Sequence, residues 1–175
     1  MSERNTRQLV VIRHAKTAEP GSHPDHERAL TERGHADARA MGEWLKEQGI
    51  RVDLVLCSTA VRTRETWADI VESSGRGALV EHDERIYNAS VQRLLDALAE
   101  EGRSARSIAL VGHAPGVPAL AATLTEGAAA DPDAPTLDEG FPTCTAAVLE
   151  IAASWKELAP GTARLVAVHT ARSSE

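Results

Sequence analysis

Aromatic side chains are almost absent: one Phe, one Tyr and three Trp make up 3% of the 175 residues. A core built from this chain has to be filled mainly by Leu, Val and Ala. Cysteine is equally scarce. Cys57 and Cys144 stand alone, each at one end of a short apolar run, which suits buried free thiols and not a disulfide framework. No apolar run approaches the length of a bilayer span, and the opening MSERNTRQ has no apolar segment of the kind a signal peptide carries. The expectation is a cytoplasmic protein with no membrane partner. Positive charge is in deficit as well: 19 Lys and Arg face 26 Asp and Glu, for a formal net charge of −7. That balance argues against a nucleic-acid partner. An anionic ligand would then need a local cluster of cations, so individual arginine positions carry information.

Several signatures of catalysis are missing too. There is no GxxxxGK(S/T) or GxGxxG loop to cradle a nucleotide, and no GxSxG elbow for a serine nucleophile. His23, His26 and His35 cluster in sequence, the first two with HxxH spacing. They lie in or beside a loop, have no cysteine ligands nearby and match no common metal signature. Solvated loop histidines are the simpler reading.

What is present is a rhythm of short apolar runs and longer amphipathic segments. Strands are expected at Leu9–Ile12, Leu54–Cys57, Leu79–Glu81, Ile108–Val111, Ala146–Ile151 and Leu165–Val168. Near-continuous apolar runs suit strands covered on both faces. Thr31 can cap a helix that runs to about Gln48, with Gly49 as its stop. Ser58 or Thr59 can cap a second, which carries Trp67, Ile70 and Val71 inward. Ser90 opens a third, where Val91, Leu94, Leu95 and Leu98 follow the i, i+3, i+4, i+7 pattern. A fourth starts near Pro115 and Val117. The order β-α-β-α-β-α-β-α-β-β predicts a three-layer α/β/α sandwich on a mostly parallel mixed sheet. Residues 1–175 show no internal repeat, low-complexity linker or boundary, so a single domain is expected. Two stretches read as long loops, Ala18–Arg28 and Gly127–Pro142, a length often tied to function.

Open α/β sheets bind ligands outside the carboxyl ends of their strands. Three such ends carry polar residues: Arg13 and His14 after LVVI, Arg62 one turn past LVLCS, and His113 after ALVG. Singly each is weak, and Arg62 could equally pair with Glu65 on its own helix. Together they place two guanidiniums and two imidazoles on one edge, a set matched to phosphoryl oxygens.

These residues resemble the histidine phosphatase superfamily, with its phosphoglycerate-mutase-like fold. Arg13-His14-Ala15 is similar to the family's Arg-His-Gly motif, with Thr17 following and Ala15 in place of the usual Gly. Ser58, Arg62 and Thr66 match its Ser-x-x-x-Arg-x-x-x-Thr pattern, and Val111-Gly112-His113 its second histidine segment. The late segments FPTCTAAVLEI and SWKELAPGTARL look most like the short SixA-type phosphohistidine phosphatases. The resemblance implies His14 as nucleophile, Arg13, Arg62 and His113 around the phosphoryl group, Thr17, Ser58 and Ala114 as substrate-binding neighbours, and no metal or other cofactor. Mutase-type members take a proton donor from a Glu-Arg-x-Tyr-Gly segment, matched here by Glu84, Arg85 and Tyr87 with Asn88 for the Gly; alternatively Glu84 simply pairs with Arg85. The partner implied is a phosphate-bearing substrate, foremost a phosphohistidine protein. Two alternatives stand beside it: a small-molecule phosphomonoesterase of the sugar phosphate or ribazole phosphate type, and a non-catalytic phosphate-binding module.

Overall fold

The computed structural model describes residues 6–21, 23–128, 133–138 and 140–174. Its strands are β1 (Arg7–Arg13), β2 (Leu54–Cys57), β3 (Leu79–His82), β4 (Ser107–Gly112), β5 (Thr145–Ile151) and β6 (Ala163–Thr170). The helices are α1 (Glu32–Glu47), α2 (Val61–Ser74), α3 (Val91–Glu101) and α4 (Gly116–Leu124), with 3-10 turns at Asp25–Glu27, Glu84–Ile86 and Trp155–Glu157. All six expected strands form, each extended by at most two residues per end. Part of the expected loop Gly127–Pro142 lies outside the described residues.

The strands make one sheet in the order β3-β2-β4-β1-β5-β6. Pairings β3–β2, β2–β4 and β4–β1 are parallel, and β1–β5 and β5–β6 antiparallel. Side chains alternate between faces along each strand. Leu9, Val11, Leu56 and Leu110 turn to one face, where Leu94, Leu98, Leu120 and Leu124 of α3 and α4 cover them. Val10, Ile12, Val55 and Val111 turn to the other, against Met41 and Leu45 of α1 and Trp67 and Ile70 of α2. Both faces are covered, which is why the central strands are apolar without a break. Leu, Val, Ile and Ala do most of the filling, as the scarcity of aromatics requires. Cys57 and Cys144 are buried and free, and burial pushes both thiols up to about 12.

Capping follows the sequence at α1 and α3. Thr31 accepts from Gly34 N at 3.0 Å, and α1 ends before Gly49, which takes a left-handed φ of 70°. Ser90 accepts from Arg93 N at the start of α3. The second helix differs: its N-cap is Ala60, with no side-chain cap. Ser58 Oγ lies 2.8 Å from His113 Nε2 and only 3.3 Å from Ala60 N, so the expected cap is drawn toward the imidazole. No helix among the described residues is long and apolar enough to cross a membrane.

Helices α1 and α2 touch closely at Gly42. A Cβ there would strike Ser73 Oγ and come within 2.6 Å of the Ile70 carbonyl oxygen. Gly42→Ala is therefore expected to lower stability by about 1–3 kcal/mol, read as a lower urea midpoint at unchanged slope. Gly77→Ala, whose Cβ meets nothing within 4 Å, is expected to stay within about 0.5 kcal/mol.

Candidate active site

The parallel ladder brings three strand ends together. Arg13 of β1 is level with Gly112 of β4, and Cys57 of β2 with Val111. The residues just beyond stay tied to the ladder: His14 N donates to Gly112 O at 3.1 Å and Ser58 N to Val111 O at 3.0 Å. His14, Ser58 and His113 thus emerge side by side at the carboxyl edge, where the fold rule expects a ligand. The His14 and His113 ring centroids are 5.5 Å apart.

His14 is 7% exposed. Its Nδ1 lies 2.7 Å from the Ala15 carbonyl oxygen. A carbonyl only accepts, so Nδ1 carries the hydrogen and Nε2 the lone pair. Burial holds the ring's pKa down to about 4, helped by the positive charges of Arg62, Arg13 and Arg28 and opposed by the Ala15 hydrogen bond. The imidazole is neutral near pH 7. Ala15 is fully buried; its N–H donates to Thr66 Oγ1 at 3.0 Å, and Thr66 Oγ1 donates to Arg62 O at 2.7 Å. Ala15 is not among the non-glycine residues with positive φ, so the Cβ in place of the usual Gly brings no backbone strain.

His113 is 5% exposed, and burial followed by the charge of Arg62 lowers it to about 3. Its Nε2 meets Ser58 Oγ. Arg13 donates from Nη1 to Phe141 O at 3.0 Å, just before β5. Of the four buried side-chain nitrogens without a partner among the described residues, three lie at this edge, Arg13 Nε, Arg62 Nε and His113 Nδ1; the fourth is Trp67 Nε1. Buried polar groups of this kind carry an uncompensated desolvation cost.

The segment after β1 folds back over this edge. Arg62, 4% exposed, donates from Nη1 to Asp25 O at 2.8 Å and from Nη2 to Asp25 Oδ2 at 3.1 Å. Tyr87 Oη donates to the same Oδ2 at 2.5 Å. Arg28 holds Oδ1 from Nε at 3.0 Å and Nη2 at 2.9 Å, and is itself held by Thr17 Oγ1 and Ala18 O. The Tyr87 bond, then those of Arg28 and Arg62, keep the Asp25 carboxyl well below the usual carboxylate range. Tyr87 sets its edge against both His113 and His26, with centroids 5.4 and 4.9 Å apart.

The structure brings together Arg13, His14, Arg62, His113 and Ser58. Thr17 meets the group through Arg28, and Ala114 precedes Pro115 at the start of α4, joined to it by a cis peptide bond. Glu84 is exposed, and its side chain has no hydrogen bond or ion pair with the others. Nor does it pair with Arg85, which instead binds Asp83, Glu100 and Glu101. Arg62 pairs with Asp25 rather than Glu65, whose carboxylate accepts from Leu30 N. The loop histidines are not simply solvated: His26 bonds Thr59 and packs on Tyr87, and His35 bonds Asp69 at 2.6 Å. Among the described residues no three His, Cys, Asp or Glu side chains converge on a possible metal position. Sequence reasoning missed Asp25 and Arg28; the length of the Ala18–Arg28 loop was the available signal.

Residues 9–91 match the family description "Histidine phosphatase superfamily (branch 1)". An uncharacterised protein of Mycobacterium tuberculosis is 38% identical over 162 residues, covering 92% of this chain and all of the relative. A structure from Nakamurella multipartitia, described as a candidate phosphohistidine phosphatase SixA, is 35% identical with a TM-score of 0.83, covering 95% of this chain and 96% of that one. A candidate SixA from Agrobacterium tumefaciens is 28% identical with a TM-score of 0.77, over 93% of this chain and 97% of that one. With the ordered motifs and the shared architecture, these likenesses establish that the chain belongs to the histidine phosphatase superfamily, branch 1.

Proposed function

We propose that the chain is a phosphatase that forms a phosphohistidine intermediate on His14 and acts on phosphohistidine in a protein. The observation that carries this is the His14 Nδ1 bond to the Ala15 carbonyl, which leaves a neutral Nε2 lone pair beside Arg13, Arg62 and His113. In the first step that lone pair forms a bond to phosphorus in line with the leaving group, whose bond breaks with its electron pair. Water then displaces phosphate from His14, returning the neutral ring. Arg13 and Arg62 stabilise charge spreading over the equatorial oxygens. With Ser58 Oγ as donor to His113 Nε2, the ring hydrogen is on Nδ1, which has no other partner and serves the phosphoryl group. These guanidiniums supply the positive field, and no metal enters the scheme.

The leaving group favours phosphohistidine over an ester. An alkoxide needs a proton from an acid that holds one near neutrality. Asp25 is kept ionised by Tyr87, Arg28 and Arg62, and the Glu84 side chain makes no hydrogen bond or ion pair with the set. An imidazole, with an ordinary pKa near 6.5, departs as the neutral ring without a dedicated acid once its other nitrogen carries a proton. The SixA-like architecture of the structural relatives points the same way.

His14→Ala is expected to abolish the trapped phosphoenzyme and to lower kcat/KM on a phosphohistidine protein by roughly 10³-fold or more. Turnover retained in that variant sinks the mechanism. A panel of phosphate esters assayed alongside distinguishes the phosphomonoesterase, and tight phosphate binding without turnover on any substrate the non-catalytic module.

The pH profile is a separate check. His14 is active as the neutral ring, so protonation removes activity as pH falls through about 4. After correction for substrate ionisation, kcat/KM is expected to hold from neutrality to about pH 5 and fall below it. A fall centred near 6.5, the ordinary imidazole value, would mean that burial and the three arginines do not act on the nucleophile as described.

A further inference from the structure

We propose that Asp25 is a specificity-determining residue, whose carboxylate selects a protonated imidazole as the leaving group. The inference rests on the phosphohistidine reading and deepens it. Its ground is position. Arg62 is buried, with a side chain 4% exposed, while the Asp25 side chain that meets its fork is 49% exposed. Asp25 therefore stands on the solvent side of the phosphoryl-binding guanidinium, where a leaving group belonging to another protein has to lie.

The carboxylate is held there independently of Arg62. Arg28 grips Oδ1 with two nitrogens and is anchored by Thr17 Oγ1 and Ala18 O. Tyr87 grips Oδ2 and is wedged between His26 and His113. A phosphoryl group that takes over the Arg62 fork draws Nη2 away from Oδ2 and leaves that oxygen an open acceptor beside the substrate. The charged groups facing Asp25 are then Arg28, Arg62 and the phosphoryl group, with Tyr87, His26 and His113 packed around them.

The chemistry calls for such an acceptor. The His14 Nε2 lone pair forms the new N–P bond, the P–N bond to the substrate ring breaks, and the pair stays on that ring nitrogen. The ring leaves as neutral imidazole only if its other nitrogen already carries a proton; otherwise it leaves as the anion. A carboxylate accepting from that N–H keeps the proton in place through a charge-assisted hydrogen bond. Toward an ester, whose leaving oxygen has no proton to offer, the same carboxylate gives nothing and repels.

The test compares N-phosphorylimidazole with phenyl phosphate on the wild-type enzyme, Asp25→Asn and Asp25→Glu. The kcat/KM ratio of the first substrate to the second is expected to fall about ten-fold or more in Asp25→Asn, and to recover in large part in Asp25→Glu. The fall is expected to be larger at about pH 8 than at about pH 6, where solvent alone protonates the ring. A parallel loss on both substrates would reduce Asp25 to a support for Arg62, and a parallel gain would make it a competitor for the phosphoryl site; either overturns the proposal. Wild-type enzyme that turns over phenyl phosphate but not N-phosphorylimidazole overturns the phosphohistidine reading and this inference together. Turnover of both with an unchanged ratio in Asp25→Asn overturns this inference alone.

Discussion

One hydrogen bond, from His14 Nδ1 to the carbonyl of the next residue, decides what the carboxyl edge of the sheet can do. It selects the tautomer, aims the ring's basic nitrogen away from the backbone and needs no second side chain to do so. Everything around it serves to keep that carbonyl still. His14 N is bonded to β4, His14 O accepts from Cys144 N at 2.9 Å beside β5, and Ala15 N is bonded to Thr66 of α2. His14 is thereby referenced to three separate elements, each buried in the core. A ring fixed in this way loses little conformational freedom when it reacts, and preorganisation of this kind is where much of an enzyme's rate advantage lies.

The electrostatics follow from the same confinement. An acidic chain of net charge −7 collects Arg13, Arg28 and Arg62 around two imidazoles, which burial foremost and then the charge of Arg62 keep neutral. The cations are not left to repel one another. Asp25 lies between Arg28 and Arg62, and the Phe141 carbonyl receives Arg13. Positive field and neutral bases coexist because the balancing anion is on the outer side of the fork. Paired groups whose environments push them to opposite protonation states are the usual mark of acid–base sites.

Much of this was legible from local pattern. Leu9–Ile12 running into Arg13 and His14 located both the strand and the buried imidazole at its end, because an apolar run buried on two faces must end where polar groups begin. Arg62 and Thr66 keep the spacing of one helical face, Ser58 lies just ahead of that helix, and all three are buried in the structure. Asn88, standing where the family has Gly, was legible only as a departure; it takes a left-handed φ of 51°, which Asn tolerates better than most residues. The illegible parts are long-range. Asp25 meets Arg62 across 37 residues and Tyr87 across 62, and nothing in PDHER distinguishes a carboxylate that folds over a site from one in solvent. Glu84 shows the converse, a residue with the right motif neighbours whose side chain makes no hydrogen bond or ion pair with the site.

The antiparallel course of β5 has a consequence for how this fold can diversify. Because β5 runs against β1, it meets the site with its lead-in rather than its last residues, through Phe141 and Cys144. The ladder itself begins at Ile12 opposite Ala146 and is set by residues downstream. Chain inserted between α4 and β5 would therefore reshape one wall of the cleft without shifting a single strand register. Closure of a longer loop costs only about 0.6 kcal/mol per doubling of its length. The surroundings of His14 can vary by insertion at that point while the strands that position it stay in place.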